Sequence, residues 1–530
     1  MNSTNQPICS RETGETREAA GRFRVLTRFD CICIIVGTII GAGIFKMPAI
    51  VAGVVPNVYA LAGVWICGGL IALVGALCFA ELTTTYPDRG GDYGYLKRAY
   101  HGRVGFAFAW TAFWVIRPGN IGALAMIFGQ FAIQILPDSV DLESRLPQQL
   151  SPMGFFAALV VVVITLTNLL GVRFGKTTQN VLTVAKVAGI FLVIIAAFSF
   201  WPNQNANLAT ADSAISAVAP ETTTNASSTD ATPESGVVEP DEQPEPDEQP
   251  EPDEQPEPDE QPESEGDSTF GWFWLALVFV MFTFGGWNDI AFVASEVREP
   301  KKNLLPSLVI GTLIVLVIYL MVNFALVYGL GFKTMSGLGQ QWQSATSVLI
   351  NNNMGAVGNR LFAALVCLSC LGAINAMVFT SPRIYWATAA DYPALRWFSG
   401  DNLGGDWWRA MLLQAVVTLV FIGMFGGQAD GFDNIVAATA PYFWIFLALT
   451  VISLVVCRIR FKGKFDGYRV PFGPLLPFIF VAACVFMTYR GFLFMFEKNE
   501  RIQPAIVIGA WVLLGVILSF VLKSRIPDDE

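Results

Sequence analysis

The chain has 530 residues, of which 53% are hydrophobic and only 14% charged, and its mean hydropathy is +0.51. Apolar runs of roughly 20 residues, each long enough to cross a hydrocarbon core, recur about a dozen times. That pattern excludes a soluble domain and leaves a polytopic helical membrane protein.

In chain order, the first 28 residues are polar, with Arg11, Arg17, Arg22, Arg24 and Arg28 and no small-residue cleavage site after them. They read as a tail at 1–28, not a cleavable signal peptide. The apolar spans fall at 29–53, 58–82, 105–135, 153–171 and 178–201, then at 270–297, 304–331, 360–390, 407–425 and 434–457. Two more follow at 474–495 and 504–523. Lys and Arg crowd alternate loops: Arg89, Lys97, Arg98 and Arg103; Arg173 and Lys176; Arg298, Lys301 and Lys302; Arg458, Arg460, Lys462, Lys464 and Arg469. The positive-inside rule then puts both termini in the cytoplasm.

Span one contains "GTIIGAGIFKMP" at 37–48. Glycine inside a helix costs about 1 kcal/mol relative to alanine, so Gly41-Ala42-Gly43 predicts a break near the middle. Gly37, spaced four residues from Gly41, suits close helix packing. Lys46, just past the break, is expected in a water-filled vestibule or snorkelling outward. Span six carries "FTFGGWND", with Gly285-Gly286 as its counterpart. Glycine-interrupted segments at corresponding places in two groups of five spans point to an inverted-repeat transporter. The unwound turns free N–H groups at one half-helix start and C=O groups at the other half-helix end. A zwitterion can satisfy both, carboxylate on the N–H groups and ammonium on the carbonyls.

Between spans five and six, residues 202–269 hold nineteen Asp or Glu and no Lys or Arg, so that removing them turns the net charge from −10 to +9. "EPDEQP" repeats four times from Glu239 to Pro262. Frequent proline and mutual carboxylate repulsion predict a disordered, extended external loop. It reads as a tolerated spacer before an acidic brush for cationic solutes. The domain plan is thus a first repeat at 29–201, the acidic loop at 202–269, a second repeat at 270–457, and the last two spans with a cytoplasmic tail at 458–530.

Three charges lie at membrane depth. Lys186, about nine residues into span five, must pair with carbonyls, hydroxyls or a carboxylate. Arg117, before Pro118 in span three, reads as a structural ion pair or a carbonyl cap at a proline kink. Asp289 reads first as a stabiliser of the second half-helix N-terminus, then as a substrate contact. Glu296 and Glu299, near "REPKKN", belong to a cytoplasmic gate network with basic loop residues, and His101, the single histidine, reads as solvated surface. Cys367 and Cys370 form a CxxC on a membrane helix, read as packing and not as a redox or metal pair. With one histidine and no metal-spaced cluster or nucleophile–base motif, an enzyme is the weakest reading, and no metal, cofactor or nucleic acid is called for.

"GTIIGAGIFKMP" and "FTFGGWNDIAFVASEVREPKKNL" resemble helices one and six of the amino acid–polyamine–organocation (APC) transporters. The L-type amino acid transporter group and its bacterial serine/threonine exchanger relatives are the nearest within them. "AELTTTYPDRGGDYGYL" at 80–96, "IRP" at 116–118, "NVLTVAKVAGI" at 180–190 and "NAMVFTSPRIYWATA" at 375–389 extend the resemblance over about 25–525. It implies an all-α membrane protein of twelve transmembrane helices with the LeuT-type 5+5 inverted repeat and broken helices one and six. It further implies that Ile39, Gly41, Ala42 and Gly43 hold the substrate carboxylate and part of the ammonium shell. By the same resemblance Phe282 is an aromatic lid, the carbonyls from Phe282 to Gly285 accept from the ammonium, and Asn288 lines the pocket. Ala42, where many relatives have serine, lowers the pocket's polarity. Lys186 takes the place of the sodium ion that usually bridges helices one, five and eight, with Thr380 and Ser381 as candidate hydroxyl neighbours.

The function implied is sodium-independent secondary transport of a neutral amino acid by alternating access, as proton symport or exchange, in a bacterial inner membrane. The alternatives are a cationic amino acid or polyamine carrier, for which Asp289 is the one candidate carboxylate, and a transporter-like nutrient sensor. The partners expected are the amino acid, protons and the lipid bilayer. Residues 136–152 have no cysteine, so a disulfide-linked heavy chain is not expected.

Overall fold

The computed structural model describes residues 24–87, 90–137, 151–199, 271–340, 344–398, 407–425, 431–461, 467–496 and 499–522. The acidic loop, the first 23 residues and the C-terminal tail, on which several expectations fall, lie outside the described residues. Among the described residues, eleven helices are long and apolar enough to cross a membrane, and a twelfth span is the pair α1 (Arg28–Ile39) and α2 (Gly43–Val54), bent by 49°. This is the all-α polytopic architecture that the apolar runs predict.

Span two is α3 (Val58–Thr85), followed by a short helix α4 (Asp92–Ala99). Span three is α5 (Gly102–Thr111), a π-helical turn (Ala112–Ile116) and α6 (Arg117–Ile135). Pro118 has no N–H to give the preceding turn and its ring crowds it, which accounts for the wider π turn just before it. Spans four and five are α7 (Pro152–Leu169) and α8 (Val172–Ser199). Span six is α9 (Gly271–Thr283) and, after the glycines, a 3₁₀ segment (Trp287–Glu296) where an α-helical second half was expected.

Span seven is α10 (Pro300–Leu330), followed by the short α11 (Phe332–Gln340). Span eight is α12 (Ala345–Thr380), running through Ser381 into α13 (Pro382–Asp391). Spans nine to twelve are α14 (Trp407–Phe425), α15 (Gly431–Arg460), α16 (Leu475–Phe496) and α17 (Asn499–Val521).

Local chemistry sets the ends. At the start of α1, Thr27 Oγ1 accepts from the Asp30 N–H at 3.3 Å while the Asp30 carboxylate accepts from the Thr27 N–H at 2.8 Å, a reciprocal cap. Asn57 and Ser151 cap α3 and α7 one-sidedly, accepting from the Ala60 and Gly154 N–H groups at 2.9 and 3.0 Å. Large apolar side chains such as Leu166, Val181, Phe324 and Phe520 remain more than half exposed, as a lipid-facing surface requires. Between helices small residues allow close approach: a Cβ on Gly69 of α3 would lie 2.5 Å from Leu316 of α10, and one on Gly311 of α10 would lie 2.8 Å from Ile35 of α1.

At the end that carries the basic loops, charges are tied across spans. Lys176 pairs with Asp30 at 3.2 Å and Lys97 with Asp391 at 2.6 Å, while Arg458 pairs with the fully buried Glu81. Leu26 forms a short parallel bridge to Val297, donating to the Glu296 carbonyl at 3.0 Å and accepting from the Arg298 N–H at 2.9 Å.

Candidate functional site

The break in span one lies in Ile40-Gly41-Ala42. α1 ends at Ile39, the Gly41 N–H turns back to the Ile39 carbonyl at 2.9 Å, and α2 starts at Gly43 with no side-chain cap. An uncapped start leaves the first N–H groups of α2 to whatever ligand lies before them. Four carbonyls around the break accept from side chains of other spans. The Lys186 ammonium, fully buried on α8, donates to Gly37 O at 2.9 Å, Ile40 O at 2.8 Å and Ser369 O at 3.1 Å. The Ser369 hydroxyl reaches Ile40 O and Gly41 O at 3.2 and 2.9 Å, and the Tyr319 hydroxyl reaches Ile39 O at 3.2 Å.

Lys186 therefore bridges spans one, five and eight through backbone oxygens. Its span-eight neighbour is Ser369, not Thr380 or Ser381, which bond back to Ala376 O and Met377 O, Thr380 also reaching Asp289 Oδ2 at 3.5 Å. The two hydroxyls lie about three turns further along. Gly372 makes room for the ammonium: a Cβ there would stand 2.6 Å from Nζ. Gly37 likewise serves packing, since a Cβ would run into the Gln179 amide and lie 2.6 Å from Thr183 Oγ1. Lys46 is half-buried on α2.

In span six, Gly286 has φ 113°, a left-handed conformation that suits glycine, and a Cβ there would lie 2.8 Å from Thr38 Cγ2 on α1. The two breaks thus meet face to face. Tyr319 of α10 joins them with one hydroxyl, placed 3.2 Å from Ile39 O and 3.1 Å from Thr283 O. A cavity of about 10 Å³ at the break is lined by Gly285, Gly286, Trp287 and Asn288 with Phe284 and Phe443 among its walls. Asn288 is 2% exposed and its Oδ1 has no hydrogen-bond partner. Phe282, the expected lid, stands 36% exposed and does not line this cavity; the ring buried at the break is Phe284, packed against Trp65 and Tyr319.

Arg117 and Asp289 form a two-pronged ion pair, Nη1 to Oδ2 and Nη2 to Oδ1, each at 2.7 Å and both buried. The Arg117 guanidinium also lies over the Phe292 ring at 4.7 Å. Asp289 lies in the first turn of the 3₁₀ segment, where the dipole role expected for it also applies, and Arg117 is its ion-pair partner. Glu296 pairs with Arg383 at 2.9 Å, both buried, and Glu299 with Lys302 at 2.5 Å. The partner of Glu296 is thus a residue of α13, not of a basic loop. Sequence reasoning missed Tyr319, Ser369 and Arg383. A tyrosine inside the apolar run of span seven and the arginine of "TSPRIYW" were the available signals.

Among the described residues no group of His, Cys, Asp and Glu is arranged to hold a metal ion, and the eight described cysteines, Cys367 and Cys370 included, are free. A family model described as "Amino acid permease" matches residues 26–518. The chain is 25% identical to the mouse b(0,+)-type amino acid transporter 1 over 499 residues, 93% of this chain and 85% of that protein. It is 25% identical to the serine/threonine exchanger SteT of Bacillus subtilis (strain 168) over 459 residues, 86% and 88% of the two chains. It is 28% identical over 368 residues to the human large neutral amino acids transporter small subunit 2, 68% and 56% of the two chains.

Proposed function

We propose, from the premise that the chain belongs to the amino acid permease family, that it moves a neutral amino acid across the cell membrane as a sodium-independent secondary transporter. The observation that carries this reading is the Lys186 ammonium, seated on carbonyls of spans one and eight at 2.8 to 3.1 Å. An ammonium seated there supplies from the protein the cation that would otherwise be needed between those spans. Alternating access by proton symport or by exchange follows as the mode, and exchange is what the printed name of the bacterial relative describes.

The site chemistry supports an amino acid with an uncharged side chain. The substrate carboxylate takes the N–H groups of Ala42 and Gly43 at the uncapped start of α2, whose dipole favours an anion. Carbonyls 37 and 39 to 41 already accept from Lys186, Ser369 and Tyr319, so the ammonium leans on the helix-six turn at Gly285. The unpartnered Asn288 amide oxygen offers a further acceptor. A cationic side chain would need a free carboxylate on the helix-six turn, and Asp289, the carboxylate there, has both oxygens taken by Arg117. A bacterial inner membrane with both termini in the cytoplasm completes the proposal.

Uptake of labelled L-leucine and L-serine into proteoliposomes tests it, with all twenty unlabelled amino acids as competitors, with and without sodium, a pH gradient and internal substrate. Competition by neutral amino acids in sodium-free buffer is expected. Failure of every amino acid to compete, or an absolute need for sodium, would overturn the reading.

A further inference from the structure

A second cavity of about 10 Å³ lies beside the first and shares Asn288 with it; Asp92, Arg117, Phe108, Phe443 and Phe446 are among its walls. Two charged groups line it, Asp92 at the start of α4 and Arg117 of α6, and Asp289 of the 3₁₀ segment is held on Arg117. Arg117 spends both prongs on Asp289 at 2.7 Å. Asp92 is 4% exposed and its Oδ1 accepts no hydrogen bond. The guanidinium is thus committed to Asp289, and the Asp92 carboxylate stands beside it against aromatic rings with an oxygen left over. A buried carboxylate with an unsatisfied oxygen is disfavoured as an anion, and neutralisation is the usual remedy.

We infer that Asp92 is a proton-binding site of the transport cycle, taking up a proton on its carboxylate and releasing it as the neighbouring helix-six break moves. The cavity selects the occupant. At about 10 Å³ it is close to the volume of a single water, enough to relay a proton and too small for a lysine or arginine side chain. Asp92 and Asn288 are the side chains that bring free oxygens to it, and the aromatic walls give a sodium ion no further ligands. Burial pushes the Asp92 carboxyl up to about 8, with Arg117 opposing and Asp289 reinforcing the shift.

Of the other charged and titratable groups nearby, one faces the cluster and the rest are engaged with other residues. Tyr385 of α13 faces Arg117. On α4 itself, Tyr93 and Lys97 both reach Asp391 at 2.6 Å, and Arg98 lies over Tyr86. From α15, Cys457 faces Arg98.

The proposal deepens the transport reading and rests on it for the word cycle, so its test has one arm that needs no transport. Infrared difference spectra of the purified full chain across about pH 6 to 10 should show a carboxylic acid carbonyl band that disappears with a midpoint near 8. The band should be absent in Asp92→Asn. Asp289→Asn removes a like charge and frees Arg117, so the midpoint should move to lower pH, a readout that stands even where Asp92→Asn fails to fold. A band that persists in Asp92→Asn, or a midpoint unmoved by Asp289→Asn, would overturn the site.

In proteoliposomes at equal substrate, gradient-driven L-leucine uptake relative to exchange should fall about tenfold in Asp92→Asn and return in Asp92→Glu. A gradient response as large in Asp92→Asn as in wild type, or absent from wild type, would overturn the coupling role. Loss of amino acid movement in every sample, with the infrared band intact, would instead strike the transport reading.

Discussion

The two breaks that meet at the centre of the bundle are both opened by glycine, yet the protein treats them differently. At helix one the carbonyls of Gly37, Ile39, Ile40 and Gly41 all accept from side chains of spans five, seven and eight. At helix six the turn passes through Gly286 into a 3₁₀ segment, and Asn288 keeps an unpartnered oxygen beside a small cavity. The first break is held from outside by three donors, and the second is anchored one residue further on by Arg117 on Asp289. A ligand that needs acceptors therefore finds them on helix six, while helix one offers N–H groups. The division follows from the charge placed behind each break, an ammonium behind one and a neutralised pair behind the other.

The difference breaks most sharply at the anchor of helix six. Arg117→Met leaves Asp289 buried and unpaired, and should cost roughly 3–5 kcal/mol of stability. Thermal unfolding in detergent would show this as a large drop in Tm, and the double variant with Asp289→Asn should recover most of it. Full additivity of the two losses would contradict the pairing. On the helix-one side, Lys186→Met removes the shared donor from three buried carbonyls, two of span one and one of span eight. A loss of roughly 1–3 kcal/mol is expected, with sodium-free leucine uptake reduced at least tenfold; wild-type uptake and pH dependence would refute the substitute-cation role.

Gly286→Ala probes the contact between the breaks. At φ 113° the new methyl meets Thr38 at 2.8 Å, and about 1–3 kcal/mol of strain should appear mainly as weaker substrate binding. The smallest effect is expected for Tyr319→Phe, which deletes one shared hydroxyl. Roughly 0.5–1.5 kcal/mol is at stake, and the measurement is whether Tm and apparent leucine affinity fall together, as a bond to both breaks requires.

The spans were legible because a bilayer demands about 20 apolar residues and the chain writes them with little interruption. The break in span one was legible for the opposite reason, since Gly41 and Gly43 interrupt the run at the place where Gly285 and Gly286 interrupt its counterpart in span six. What escaped notice is local and polar or distant and paired. The helices at Asp92–Ala99 and Phe332–Gln340 are too short for a helical period to stand out. Asp289 and Arg117 are separated by 172 positions, and no single-chain pattern links a "WND" to an "IRP". Lys186 declared itself by depth, but its Ser369 carbonyl partner could not, because every residue has a carbonyl. Phe282 and Phe284 sit two apart on either side of a helix that is ending, and which of them turns inward depends on the final turn.

The short bridge between Leu26 and Val297 has a mechanical consequence. It laces the chain just before helix one to the chain just after helix six, with hydrogen bonds at 3.0 and 2.9 Å. Two levers riveted at one end cannot swing independently, so the riveted ends of both broken helices should tilt as a single rocker in any rearrangement of the bundle. Spin labels at Arg24 and Lys301 would then keep one distance whether the site faces in or out, while distances from either label to α12 change.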